Sequence, residues 1–199
     1  MPMFNRALGV SVIILISWLA GLSQTTASGA AAADGTYVRP DAHTRQARYI
    51  KSLFGLEAFA ESLGSAAFST ARNSPKEWGP HWDGFGRRAA SNIGKRIIGR
   101  TISFGLEEAF KLDGHFYKSG KRGVGPRVTN AVISTFTARK PDGKRVFGFP
   151  RFAGTYASHI IAAKAWYPAR YDWKDGAKSG TISLGMNIVF NLVREFVLK

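Results

Sequence analysis

The chain of 199 residues contains no cysteine. That excludes a disulfide framework, a thiolate nucleophile, a cysteine-ligated zinc site and a lipidated cysteine anchor. Acid is also scarce: 13 Asp plus Glu stand against 28 Lys plus Arg, a formal charge of +15. Such an excess selects anionic company, whether phospholipid, another envelope polyanion or nucleic acid, and says nothing about fold. No HExxH metalloprotease pair, no GxSxG nucleophile elbow and no Walker A loop occurs. Beyond residue 33 the longest uncharged stretch, Ser179 to Val193, is shorter than the roughly 20 residues of a membrane span. What is present is globular in kind, with 45% apolar and 13% aromatic residues, so wholesale disorder is excluded.

Residues 1–33 read apart from the fold. Arg6 is their only charge, an apolar stretch runs from Ala7 to Leu22, and a small, polar tail ends at Ala31-Ala32-Ala33. This is the pattern of a secretory signal peptide, with an uncleaved anchor as its alternative. Its removal leaves a mature charge of +14, one less than the +15 of the whole chain. The expected location is the periplasm or the periphery of the cell envelope. Export then separates the protein from nucleic acid, despite basic residues interleaved with Trp78, Trp82, Phe116 and Tyr117 that would suit a single strand.

Residues 34–48 are polar and carry a proline, and read as a flexible lead-in to a single helical domain over 49–199. An apolar stripe through Tyr49, Leu53, Leu56, Ala60, Leu63 and Ala67 predicts a first helix, closed by Asn73-Ser74-Pro75. A second follows Asp83 and reaches about Leu112. Ile93, Ile97 and Phe104 fall on one half of it, and Arg88, Lys95, Arg96 and Arg100 on the other, as in a basic amphipathic helix. Further helices are expected from Pro126 to Ala138, from Pro150 to Tyr167 and from Gly176 to Leu198, with a possible short β-hairpin near 134–149. The last segment carries two patterns. Ile182, Leu184, Met186, Ile188 and Phe190 alternate like a strand, and Ile182, Met186, Val189, Val193 and Phe196 step like a helix. Length selects the helix. A small outer-membrane barrel is the alternative that the strand pattern would serve. Small residues recur every fourth position in Gly86-Ala90-Gly94, Gly154-Ser158-Ala162 and Ala177-Thr181-Gly185, ridges that let helices approach closely. The expected fold is a mostly α bundle of about five amphipathic helices.

Several stretches have a family look: NSPKEWGPHWDGFGRRAASNIG, DGHFYKSGKRG, TARKPDGKRVFGFPRFAG, AWYP and FNLVREF. Together they resemble a family of uncharacterised exported bacterial proteins with Pro-Glu-Trp-Gly, Asp-Pro-Arg-Tyr-Phe, Trp-Tyr-Pro and Lys-Glu-Phe elements. Here Lys76 is inserted between Pro75 and Glu77, and Asp113-Gly114-His115-Phe116-Tyr117 replaces the second element. Trp166-Tyr167-Pro168 fits, and Arg194-Glu195-Phe196 is close. The resemblance implies export and a shared fold, and no activity.

Few residues could carry chemistry. His43, His81, His115 and His159 lack helical ligand spacing, so no metal or other cofactor is expected. Glu107 and Glu108 diverge by about 100° on a helix and do not form an acid–base pair. Glu195, beside Arg194 on a largely apolar helix, suits a buried or interfacial ion pair. An enzyme acting on an envelope substrate would have to use Asp113, His115 and Tyr117. The loop SGKRGVGPR is more suggestive: glycines free backbone amides beside a helix start, and Lys121, Arg122 and Arg127 add charge for an anion. With Arg88, Lys95, Arg96 and Arg100, these residues make up the expected anion-binding set of a non-enzymatic module on an anionic surface.

Overall fold

The structure is a computed structural model and describes residues 37–197; the signal-peptide reading lies outside them. It is mostly helical, with a single short hairpin among the described residues. The helices are α1 (Ala42–Phe54), α2 (Leu56–Ala71), α3 (Trp82–Ala109), α4 (Val124–Phe136), α5 (Phe149–Ala165) and α6 (Trp173–Phe196). The expected hairpin is β1 (Thr137–Arg139) with β2 (Arg145–Phe147), antiparallel, with Ala138 opposite Val146.

Local chemistry explains most of the boundaries. Asp41 caps α1 by accepting the amide of Thr44, so the polar lead-in is already helical from Ala42, and that part of 34–48 is not the flexible segment the composition suggests. The single helix expected from Tyr49 is two helices. At Gly55 the backbone turns extended, with φ −70° and ψ 155°, and α2 starts anew. After α2, Lys76–Trp78 form a 3-10 turn, and Trp78 meets Tyr167 edge-on at 5.0 Å. Asp172 and Asp175 form a reciprocal capping box at the start of α6. Ser179 to Val193 is therefore helical, which removes the strand that the barrel alternative would use.

The principal packings are α3 on α5, α5 on α6, α2 on α3 and α4 on α6. Their contact faces are made of small and polar residues. The inward positions are Ala58, Ser62 and Ala66 of α2, Gly99 and Ser103 of α3, Gly154, Ser158 and Ala162 of α5, and Gly176, Gly180 and Leu184 of α6. Small side chains let the helices close on one another through backbone contacts. A Cβ on Gly154 would overlap the carbonyl of Gly99 and the hydroxyl of Ser103. The small-residue ridge of α5 is thus a packing seam, whereas Gly86 and Gly185 face open space. Gly154→Ala should cost about 1–3 kcal/mol by forcing α3 and α5 apart. Gly185→Ala, with nothing to strike, should gain up to about 1 kcal/mol from helix propensity. Urea unfolding of the two variants checks both signs.

The large apolar side chains go outward instead. Phe54 of α1, Leu56, Phe59, Leu63 and Phe68 of α2, and Ile182, Met186, Val189 and Phe196 of α6 are all exposed. The helical stripe read in the last segment does exist, but it faces away from the bundle. In α3 the expected division of faces is also not kept: Arg88 is 2% exposed and Ile97 is 38% exposed, while Ile93, Ile98, Ile102 and Phe104 are half-buried, as are Lys95, Arg96 and Arg100.

Candidate functional site

The loop after α3 brings Asp113, His115 and Tyr117 together, as an enzyme reading would need. Asp113 pairs with Arg139 through both backbone hydrogen bonds, at 2.9 and 2.8 Å, which appends it to β1. Its carboxylate Oδ2 accepts the hydroxyls of Tyr117 and Tyr37, each at 2.7 Å, and Oδ1 accepts the amide of His115 at 2.8 Å. Burial opposes ionisation of Asp113, but the two phenols and the amide outweigh it and hold the carboxyl below its ordinary value. Burial first, then the Asp113 carboxylate, pushes the Tyr117 phenol up to about 12, and Tyr37 rises for the same reasons. The guanidinium of Arg139 lies over both tyrosine rings, and Arg48 donates to the Tyr117 hydroxyl at 2.9 Å.

This arrangement is a closed electrostatic knot. The carboxylate stays charged, the phenols stay protonated, and each already satisfies the other. The adjoining cavity measures about 10 Å³, room for a single water. What the cluster does is bind Tyr37, at the head of the described chain, to the hairpin and to α1. Tyr37, Arg48 and Arg139 were not legible as members, because they lie far in sequence from the Asp113 loop and carry no shared spacing with it.

The anion-binding set divides. Arg88 donates to the carbonyls of Ser74 at 2.8 Å, Gly79 at 2.7 Å and Pro75 at 2.6 Å, so it is consumed in holding the turn between α2 and α3. Arg96 pairs with Glu61 at 2.6 Å, and Lys95 donates to Tyr167 at 3.1 Å. Arg127 pairs with Glu195 and lies 4.2 Å over the Phe196 ring. The basic half of α3 therefore faces α2 and the loops rather than an outside surface, because its guanidiniums satisfy carbonyls and a carboxylate that would otherwise be unpaired. Arg100 lies on the same side, half-buried, near Glu61 and Glu107 but without a hydrogen bond or ion pair among the described residues. Burial, then the nearby Arg96 charge, holds it below its ordinary value. Lys121 and Arg122 remain exposed on the glycine loop, where Gly120 and Gly123 have φ of 63° and 95°.

Glu195 is buried, as its apolar helix suggested, but its ionic partner is Arg127 and not the adjacent Arg194. It accepts the hydroxyl of Ser119 at 2.7 Å and the amide of Asn130 at 3.2 Å, and so ties the start of the glycine loop and α4 to α6. Arg194 pairs with Glu57 and, more distantly, with Glu61. Among the described residues no three His, Asp or Glu side chains converge as metal ligands.

Glu107 differs from its neighbours. Desolvation pushes its carboxyl up to about 7, against the attraction of Arg151, which lowers it. In the unfolded chain it loses its proton near 4.5. The folded state therefore holds more protons between these values, and stability falls as pH rises from about 4.5 to 7. Glu107→Gln should match the parent near pH 4 and exceed it by up to about 3 kcal/mol above pH 8. Thermal melts across that range would check the crossover.

Comparison with known proteins finds no match of any kind: no family model, no curated protein and no solved structure matches the chain.

Proposed function

We propose that this is an exported, non-enzymatic module that lies on an anionic lipid surface of the cell envelope. The observation that carries the reading is the outward orientation of the apolar stripes of α2 and α6. The two helices are linked at one end by Arg194 with Glu57 and Glu61. At the other end they share a groove containing Phe68 and Ile182. Their exposed side chains thus belong to one region of the surface. A monomer in water has little reason to expose so many large apolar groups while it encloses serines, arginines and carboxylates. At a lipid interface the same arrangement is favourable, since each large side chain withdrawn from water contributes about 1.5–3 kcal/mol.

Charge points to the same partner. With the basic half of α3 turned inward, attachment falls to exposed cations such as Arg72, Lys76, Lys121, Arg122, Lys174 and Lys178, each worth about 1 kcal/mol near an anionic surface. No described helix is long and apolar enough to cross a membrane, so the module lies on the surface rather than spanning it. The resemblance to exported bacterial proteins supports the location.

The test is co-sedimentation with phosphatidylglycerol and phosphatidylcholine vesicles across a salt series. Binding should favour the anionic vesicles and weaken with salt while retaining an apolar component that high salt leaves. Absence from both kinds of vesicle at low salt would overturn the reading.

A further inference from the structure

Between the end of α2, the turn that follows it and the start of α6 lies an open groove of about 420 Å³. That volume is in the range of small-ligand sites. Its walls are of two kinds. Phe68 and Ile182 supply an apolar floor and are 59% and 61% exposed. Arg72, Lys76 and Arg170 supply a cationic rim, and no carboxylate lines the groove.

The rim charges are largely uncommitted. Arg170 pairs with Glu77 at 2.5 Å, outside the groove lining. Arg72 lies 5.4 Å over the Phe68 ring, and neither it nor Lys76 has a carboxylate partner among the described residues. The last carbonyls of α2 do not occupy these cations either. Phe68, Ser69 and Thr70 carbonyls already accept the amides of Arg72, Ser74 and Asn73. Ile182 is also the first residue of the outward stripe of α6, so the groove floor runs on toward Met186 and Val189.

We infer that this groove binds one anionic phospholipid, with the headgroup phosphate between Arg72 and Lys76 and an acyl chain along Phe68 and Ile182. The inference rests on the lipid-surface reading and adds a discrete site to it. Cations at the rim and an apolar track leading from them match a molecule with a charged head and an apolar tail. A free anion would use only the rim, and a neutral lipid only the track.

Calorimetric titration of the protein with dihexanoyl-phosphatidylglycerol below its micelle concentration tests the site. Dihexanoyl-phosphatidylcholine and inorganic phosphate serve as the comparison ligands. One-to-one, saturable binding of the anionic lipid is expected, with both comparison ligands at least about tenfold weaker. The pair Arg72→Gln, Lys76→Gln should weaken it about 30-fold. Ile182→Gln should weaken it about tenfold. All three positions are exposed, and unchanged circular dichroism would show that the variants fold. If one cation variant did not fold, Ile182→Gln alone would still decide. No saturable binding, equal binding of phosphate alone, or affinity unchanged in the folded variants would overturn the site. Vesicle attachment that survives such a result would leave the surface reading standing; its loss would remove both.

Discussion

Arg88→Met should destabilise the protein by about 3–5 kcal/mol, the largest effect expected from a single side chain here. Arg88 is 2% exposed, and its guanidinium satisfies the carbonyls of Ser74, Pro75 and Gly79 with no carboxylate among its bonds. Methionine retains the length and apolar stem but leaves three carbonyls without this donor, the buried one of Pro75 among them. Such a loss costs about 1–3 kcal/mol where the carbonyl is buried. Arg88→Lys should recover only part, because one ammonium cannot reproduce the planar fork that reaches three acceptors at once. Urea unfolding reads the difference directly. A loss below about 1 kcal/mol for methionine would mean that the turn between α2 and α3 does not depend on this residue.

The second large effect concerns binding. The triple variant Ile182→Gln, Met186→Gln, Val189→Gln should keep the parent's stability to within about 1 kcal/mol, since glutamine is a good helix former. These side chains are 61%, 47% and 47% exposed and contribute little to the interior. Its partitioning onto phosphatidylglycerol vesicles should fall by more than about 100-fold, at roughly 1.5 kcal/mol for each lost apolar side chain. Leu184→Gln is the contrasting case. Leu184 is buried, so this single change should cost about 2–4 kcal/mol of stability. If the triple variant unfolded and the Leu184 variant did not, the orientation of α6 would be the opposite of the one described.

Periodicity located the helices because a 3.6-residue repeat survives whichever way a face points. It could not say which face is inside. The stripe Ile182, Met186, Val189 and Phe196 is a correct helical pattern on the outer side of α6, and Arg88 and Arg96 are a correct polar pattern on the inner side of α3. The usual assignment of apolar to inside was the step that failed, because small residues, not large ones, form the contact seams. Gly154, Ser158 and Ala162 announced one such seam by their spacing. Gly86, Ala90 and Gly94 have the same spacing, yet Gly86 meets nothing, so spacing alone does not distinguish a seam from an open face. The break at Gly55 was hidden because an isolated glycine also occurs within continuous helices.

The candidate site was legible to a similar depth. Asp113, His115 and Tyr117 are near one another in sequence and proved to be near one another in space. That their carboxylate is sealed by Tyr37, with only a water-sized void beside it, depended on a residue 76 positions away. Glu195 was recognisable as a buried acid on an apolar helix. Its choice of Arg127 over Arg194 is set by how α4 and the glycine loop pack on α6.

The absence of cysteine permits a direct test of the central claim, that the apolar faces of this bundle point toward lipid. Single cysteines placed along α6 from Ile182→Cys to Val193→Cys can each carry a spin label on protein bound to phosphatidylglycerol vesicles. The measured quantity is collision with dissolved oxygen against collision with a water-soluble nickel chelate. Oxygen should dominate at 182, 186 and 189, and the contrast should oscillate with the helical repeat and reach its minimum near 184 and 191. Oscillation in the opposite phase, or labels at 182, 186 and 189 as accessible to nickel as in water, would contradict the account.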